Sequence, residues 1–380
     1  MKRVFDWCKS EIVLCIAMIL AIVSSFLVKP DKEYLKYIDF RTLAILFCLM
    51  AVMVGLQNIG LFQMIAERLL KKVHHIRAIV FVLISLCFFS SMVITNDVAL
   101  ITFVPFTFIV LEMVLGTEAK KVVVPVVVMQ TIAANLGSML TPIGNPQNLY
   151  LYGKSEMGFG SFILWMLPYT LISFVLLSVW CLSFPYRGEK RFLLNIESEN
   201  TVAEHRKEAI GYGVLFVLCV LTVADVVPYI ITLLAVVIVV SLLDRKVFQK
   251  VDYSLLLTFV GFFVFIGNMG RVPAFNALLK QVIDGNEIWT AIGASQFMSN
   301  VPAALLLSGF TNRYDLLIVG TNLGGLGTLI ASMASLISFK YIGKEYKDLR
   351  GKYFWYFTAF NVLFLAILIL CTWAIFTKNL

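Results

Sequence analysis

Two short runs of this chain carry nearly the same residues. Residues 135–141 read Asn-Leu-Gly-Ser-Met-Leu-Thr, and residues 322–328 read Asn-Leu-Gly-Gly-Leu-Gly-Thr. Each lies inside a long apolar stretch. Glycine weakens a helix, and Asn and Thr side chains find no water at membrane depth. Such a run breaks a membrane helix. Two breaks at corresponding places in the two halves of a chain point to the binding site of a secondary transporter.

Composition sets the environment. The 380 residues are 60% hydrophobic and 14% charged, whereas soluble domains are nearer a quarter charged. Many apolar runs approach the ~20 residues that cross a bilayer. The expected fold class is therefore an all-α polytopic membrane protein. Ile12–Val28 reads as a retained first helix, because it lacks a small-x-small cleavage site and further spans follow. The net charge of +8 is concentrated in loops, which fits topology and anionic lipid rather than nucleic acid. Seven cysteines show neither metal-ligand nor disulfide spacing and read as small apolar filler.

The apolar runs predict about nine crossings plus two hairpins. A first repeat spans 1–185, with helices at 11–29 and 39–60, a hairpin at 78–116, a broken helix at 119–152 and a helix at 161–184. A charged cytoplasmic linker follows at 186–208, then an inverting helix at 209–226. The second repeat spans 227–380, with helices at 228–243 and 252–270, a hairpin at 284–312, a broken helix at 314–340 and a helix at 353–377. The segment 78–116 also reads as two thin crossings, which leaves the topology unchanged. With the N-terminus cytoplasmic, 22 of the 31 Lys and Arg fall on the inner side and the C-terminus lies outside. Four crossings per repeat plus the separating helix make an odd number. The second copy therefore enters upside down, giving two inverted-topology repeats with re-entrant hairpins and broken transmembrane helices. Further pairs keep the same order: Asp39 with Asp252, Gln57-Asn58-Ile59-Gly60 with Gly267-Asn268-Met269-Gly270, and Thr95-Asn96-Asp97 with Ser299-Asn300-Val301.

The hairpin tips carry the first candidate site residues. Asn and Asp favour turns, because their side chains bond nearby backbone. At a tip they leave N–H groups at the start of the second arm, which suits an anion. Thr95, Asn96, Asp97, Ser299 and Asn300 are thus expected at the substrate. Asp97 is also expected to bind the coupling proton or cation, because carboxylates at membrane depth face a cavity or a partner. Asp225, beside Pro228, reads as interfacial. Within 135–148, Pro142 and Pro146 remove donors, and Gly137 and Gly144 allow tight turns. Freed carbonyls there suit Na⁺, and Asn and Thr side chains such as Asn135, Thr141, Asn145 and Asn148 suit ion or substrate oxygens. Asn322, Gly324 and Thr328 occupy the matching run. Ser332 and Ser335 read equally as packing residues or ligands.

Gly137-Ser-Met-Leu-Thr-Pro-Ile-Gly-Asn-Pro-Gln-Asn148 resembles the Gly-rich Thr-Pro segment of the ion transporter superfamily. That group includes divalent anion/sodium symporters, citrate transporters and arsenite permeases. The tips match its Ser-Asn-Thr tips at the central Asn. The resemblance implies a scaffold domain, a transport domain, elevator-like movement and a homodimer. It also implies that Asn96 and Asn300 contact substrate and coupling ion. Thr141, Pro142, Asn145 and Asn148 would line one ion site, and Asn322, Gly324 and Thr328 a second. Asp97 and Val301 depart from the third tip residue, which leaves room for proton coupling, and the second break lacks the Pro-Pro-Asn signature.

The expectation is a secondary active transporter in the cell membrane. It would move a small citrate- or dicarboxylate-like anion with Na⁺ or H⁺. The alternative is a cation/proton antiporter or arsenite-type efflux permease. No cofactor beyond the coupling ion is expected. An enzyme is disfavoured, because the chain has no His-Glu-x-x-His, no nucleophile–base pair and only three His.

Overall fold

The computed structural model describes residues 11–184 and 205–377. Most of the linker expected at 186–208, together with Lys2, Arg3, Lys9, Arg187, Lys190 and Arg191, lies outside the described residues. Among the described residues every regular element is helical. The first half contains α1 (Ile12–Leu27), α2 (Phe40–Asn58), α3 (Leu61–Leu70), α4 (Ile76–Ile94), α5 (Asn96–Leu115), α6 (Ala119–Ser138), α7 (Pro146–Lys154) and α8 (Phe159–Leu182). The second contains α9 (Arg206–Val223), α10 (Tyr229–Leu243), α11 (Tyr253–Gly270), α12 (Pro273–Ile283), α13 (Glu287–Met298), α14 (Asn300–Ser308), α15 (Tyr314–Leu323), α16 (Met333–Glu345) and α17 (Arg350–Thr377).

Among the described residues, six helical runs are long and apolar enough to cross a membrane: α2, α4, the run Asn96–Ser138, α8, α11 and the run Lys347–Ile375. The chain is therefore a multi-pass membrane protein. α1 and α10 are apolar but shorter, at 16 and 15 residues. The arms α13 and α14 have only 12 and 9 residues, whereas α4 and α5 have 19 and 20. At 1.5 Å per residue, an arm of α14's length reaches less than half of the ~30 Å hydrocarbon core.

Local chemistry explains the helix starts. Asp39 Oδ1 accepts from Thr42 N–H at 3.0 Å, and Asp252 Oδ1 from Leu255 N–H at 2.9 Å. Each aspartate caps the helix that follows it and satisfies an orphan donor. Two helices differ from the loops that the apolar runs suggest. α3 buries Phe62, Ala66 and Leu70, spaced four apart, and exposes Ile65, Arg68 and Leu69. α12 holds the matching place after α11. Both are too short and too charged at their flanks to register as spans.

The helices pack in two groups. In one, α1 lies along α11, and α2 lies against α9 and α10. Small residues permit this: a Cβ on Gly261 would sit 3.0 Å from the Ala17 carbonyl carbon. Gly55 similarly admits the Tyr212 ring. In the other group, α4 and α5 pack on α6, α13 and α14 on α15, and α7 touches both α14 and α15.

An ion pair ties the α1–α2 connection to the end of α11: Arg271 donates to Asp31 at 2.8 Å. The guanidinium and nearby backbone donors hold the Asp31 carboxyl below its ordinary value. A carboxylate depressed in the folded state contributes stability above its unfolded pKa and loses it as pH falls through the folded value. The thermal midpoint of Arg271→Ala is therefore expected to fall slightly below that of wild type at neutral pH, with the difference vanishing as the pH drops through the depressed Asp31 value. A difference that persists in acid would assign the effect to packing instead.

Candidate functional site

α4 and α5 meet at one residue, Thr95, with φ 69° and ψ 150°. α13 and α14 meet at Ser299, with φ 73° and ψ 154°. Non-glycine residues in such conformations persist only where their surroundings over-determine them, at a cost of order 1–3 kcal/mol. The surroundings match. The residue after each turn gives its backbone N–H to a loop where another helix is interrupted. Asn96 N–H donates to Gly144 O at 3.2 Å, and Asn300 N–H to Ala331 O at 2.9 Å.

Those loops are the interruptions themselves. α6 stops at Ser138 and α7 begins at Pro146, while α15 stops at Leu323 and α16 begins at Met333. Gly144 N–H donates to Thr141 O, and Ala331 N–H to Thr328 O, at 3.3 and 3.2 Å. Asn145 caps α7 through Asn148 N–H at 2.9 Å, with Pro146 at a position where a missing donor costs nothing. Glycine is required by space at two points. A Cβ on Gly137 would lie 2.0 Å from Phe88 O, and one on Gly144 2.0 Å from Ser138 O.

Side-chain amides join the two loops crosswise. Asn135 Oδ1, in the last turn of α6, accepts from Asn96 Nδ2 and from Ser332 Oγ, both at 3.0 Å. Asn135 Nδ2 donates to Ser335 Oγ at 3.5 Å. Asn145 Nδ2, at the start of α7, donates to Asn322 Oδ1 at 3.0 Å in the last turn of α15. Asn322 Nδ2 in turn donates to Asn148 Oδ1. Asn148 Nδ2 donates to Thr141 O at 3.1 Å. The end of each interrupted helix is thus tied to the restart of the other. Asn96, Asn135, Asn145, Asn148 and Asn322 are all 5% exposed or less. Buried amides in this number are stable only when hydrogen-bonded, and the crosswise pairs satisfy them.

The other expected site residues stand around this cluster. Thr141 donates to Met92 O, and Pro142 lies in the same turn. Ser299 Oγ donates to Asn300 Oδ1 at 3.5 Å. Gly324 O accepts from Gln296 Nε2 at 3.0 Å. Thr328 is exposed and is held by Gln296, whose Oε1 accepts from Thr328 N–H at 2.9 Å. It does not join the amide cluster. Asp225 forms an exposed ion pair with Arg41.

A cavity of about 460 Å³ separates α2 from the Thr95 turn. Its polar lining includes Gln57, Thr95, Asp97, Asn145, Lys250 and Asp252, and its walls include Leu46, Leu49 and Met50. Asp97 Oδ1 is buried with no hydrogen-bond partner among the described residues. Sequence reasoning missed Gln296, Lys250 and Asp252 as site neighbours. Gln296 had a signal, being a polar residue three positions before Ser299 in an apolar arm. Lys250 had none, since it reads as one more loop charge.

Asn322→Ala strips one partner from Asn145 Nδ2 and one from Asn148 Oδ1 in a buried setting. Each unsatisfied polar group costs ~1–3 kcal/mol. The variant is expected to unfold well below wild type in a detergent melt. Asn322→Asp should fare no better, because it replaces the donor to Asn148.

Comparison with known proteins adds an independent observation. Residues 4–312 match the citrate transporter family. The chain is 30% identical over 323 residues to the inner membrane protein YbiR of Escherichia coli, covering 84% of each. It is 33% identical over 310 residues to the uncharacterized transporter MJ0456 of Methanocaldococcus jannaschii, covering 81% of this chain and 82% of the relative. A 141-residue stretch, 37% of the chain, is 33% identical to the silicon efflux transporter LSI3 of Oryza sativa subsp. japonica and covers 28% of it.

Proposed function

The chain belongs to the citrate transporter family, within the ion transporter superfamily, and from that membership we propose a secondary active transporter of a small oxyanion, of the citrate or dicarboxylate type, coupled to Na⁺ or H⁺. The carrying observation is the buried, unpartnered Asp97 carboxylate oxygen beside the Thr95 turn, on a cavity that reaches the interrupted helix at Asn145. Asp97, Asp252 and Lys250 line the cavity, so its acidic side chains outnumber its basic ones by one. An anion alone is repelled there, and an anion accompanied by a cation is not. That is a physical reason for symport. In this scheme the cation binds near Asn96, Asp97, Asn135, Gly137, Thr141, Pro142 and Asn148, with Asn300, Asn322 and Gly324 serving the second half. The anion sits by Thr95, Asn96, Asp97, Asn145, Ser299, Asn300 and Thr328.

The matched turns at Thr95 and Ser299 and the crosswise amides support two inverted repeats with hairpin tips meeting the breaks. We take α1, α2 and α9–α11 as scaffold and the remaining core helices as the moving part. The cavity lies between the groups, and its rim residues Asn58, Lys250 and Asp252 are exposed. With the N-terminus cytoplasmic and the C-terminus outside, that rim faces the cytoplasm, and the conformation is inward-facing. Alternating access then requires the tips to slide past α2 and α11. Elevator movement, a homodimer and placement in the cell membrane complete the proposal. No cofactor other than the coupling ion and no enzymatic step enter it.

The test is uptake by proteoliposomes of citrate, succinate, sulfate and arsenite, each under a Na⁺ or a pH gradient. Anion-dependent current identifies substrate and coupling ion. The second reading, a cation/proton antiporter or metalloid efflux permease, draws on the two carboxylates of the cavity and the partial similarity to a silicon efflux transporter. Cation-driven proton movement with no response to any anion would select it.

A further inference from the structure

The cavity contains a cation that no sequence pattern marks. Lys250 closes the 3₁₀ turn Arg245–Lys250 between α10 and α11. Its ammonium donates to Asn58 Oδ1 at 2.6 Å, bridging the end of α2 to the start of α11. An ammonium has three N–H donors. Among the described residues, no ion pair joins Lys250 to a carboxylate. Yet two carboxylates line the same cavity. Asp252 stands two residues away and turns Oδ1 to the Leu255 N–H as a helix cap. Asp97 lies at the tip end, with one oxygen unpartnered. A lysine present only to neutralise charge would sit on one of them. This one is held by a neutral amide, at the exposed rim.

We propose that Lys250 recognises the substrate's oxyanion group at the cavity mouth, with Asn58 positioning the ammonium. The inference rests on the anion reading given above and adds to it the residue that selects for negative charge. Leu46, Leu49, Met50 and Leu255 wall the cavity. An ion pair between apolar walls is screened less than one in open water. The charges are also ordered: Lys250 at the rim and the Asp97 carboxylate at the tip. With its oxyanion group on Lys250, the anion reaches Asp97 only across the coupling cation, so the cation lies between two negative groups. Asp252 shares the rim but turns Oδ1 to the Leu255 N–H, while the Lys250 ammonium keeps donors beyond its bond to Asn58 for an entering anion. Lys250 belongs to the α11 end and Asp97 to the first tip, so the substrate would bridge the two groups of helices.

The experiment compares wild type, Lys250→Gln, Lys250→Arg and Asn58→Ala in proteoliposomes. The probes are citrate, succinate and sulfate. KM is read separately for the anion and for the coupling ion. Lys250→Gln should raise the anion KM about tenfold or more while leaving the ion KM unchanged. Lys250→Arg should recover most of the loss, because it keeps the charge. Asn58→Ala should raise the anion KM by a smaller factor. An unchanged anion KM in Lys250→Gln overturns the inference and leaves the anion transporter standing. A parallel rise in both KM values also overturns it, as that is the mark of a loosened fold. A wild type that moves none of the three anions overturns the anion reading, and this inference with it.

Discussion

Asp97→Asn is expected to weaken ion-coupled transport severely while leaving the fold intact. Asn is isosteric with Asp, so the turn keeps its shape. The Asn96 amide keeps its bond to Asn135, and Asn96 N–H keeps its bond to Gly144 O. What changes is one buried carboxylate oxygen with no hydrogen-bond partner among the described residues. Charged contacts are worth ~1.5–3 kcal/mol, so losing one weakens apparent affinity for the coupling cation about ten- to a hundredfold. Stability should move the other way. A carboxylate at membrane depth is costly, so removing its charge should hold or raise the thermal midpoint. Uptake against ion concentration, paired with a detergent melt, reads both quantities. Full uptake with unaltered ion dependence would remove Asp97 from the coupling step. Lost uptake with a lowered midpoint would make Asp97 structural.

Gly137→Ala is expected to damage both stability and transport. The added Cβ would lie 2.0 Å from Phe88 O and 2.6 Å from Ser91 Oγ. The nearer atom is backbone of α4 and cannot swing aside as a flexible side chain would. Relief requires α4 and α6 to part, and overpacking of this kind costs ~1–3 kcal/mol, occasionally more. The displacement also reaches the site. α4 carries Met92, whose carbonyl accepts from Thr141, and ends at the Thr95 turn. Gly213→Ala in α9 is the control, because a Cβ there meets nothing within 4 Å. That change should be neutral or gain up to ~1 kcal/mol of helix propensity. Equal melts for the two variants would refute the close-packing argument.

The breaks were legible because their causes are local. Pro142 and Pro146 lack donors, Gly137 and Gly144 lack side chains, and Asn145 caps the helix that restarts after it. Each effect operates within a few residues, so a linear reading finds it. The membrane setting was legible for the same reason, since an apolar run long enough to span is a contiguous property. α3 and α12 were not legible as helices. Their apolar stripes are short, and only packing beneath the longer helices tells a stripe from a loop.

By itself the sequence determined the all-helical membrane class, the two glycine-rich interruptions, the two polar turns and the family. These follow from hydropathy, backbone freedom and hydrogen-bonding capacity, which each residue carries wherever it is placed. The tertiary structure alone decided which amide meets which. Asn135 pairs with Ser332 at a separation of 197 residues, and Asn145 with Asn322 at 177. It also decided that Thr328 stays outside that cluster on Gln296, and that Lys250 shares a cavity with Asp97. Hydrogen bonds and ion pairs act over a few ångströms, and sequence separation carries no record of which distant groups folding brings that close.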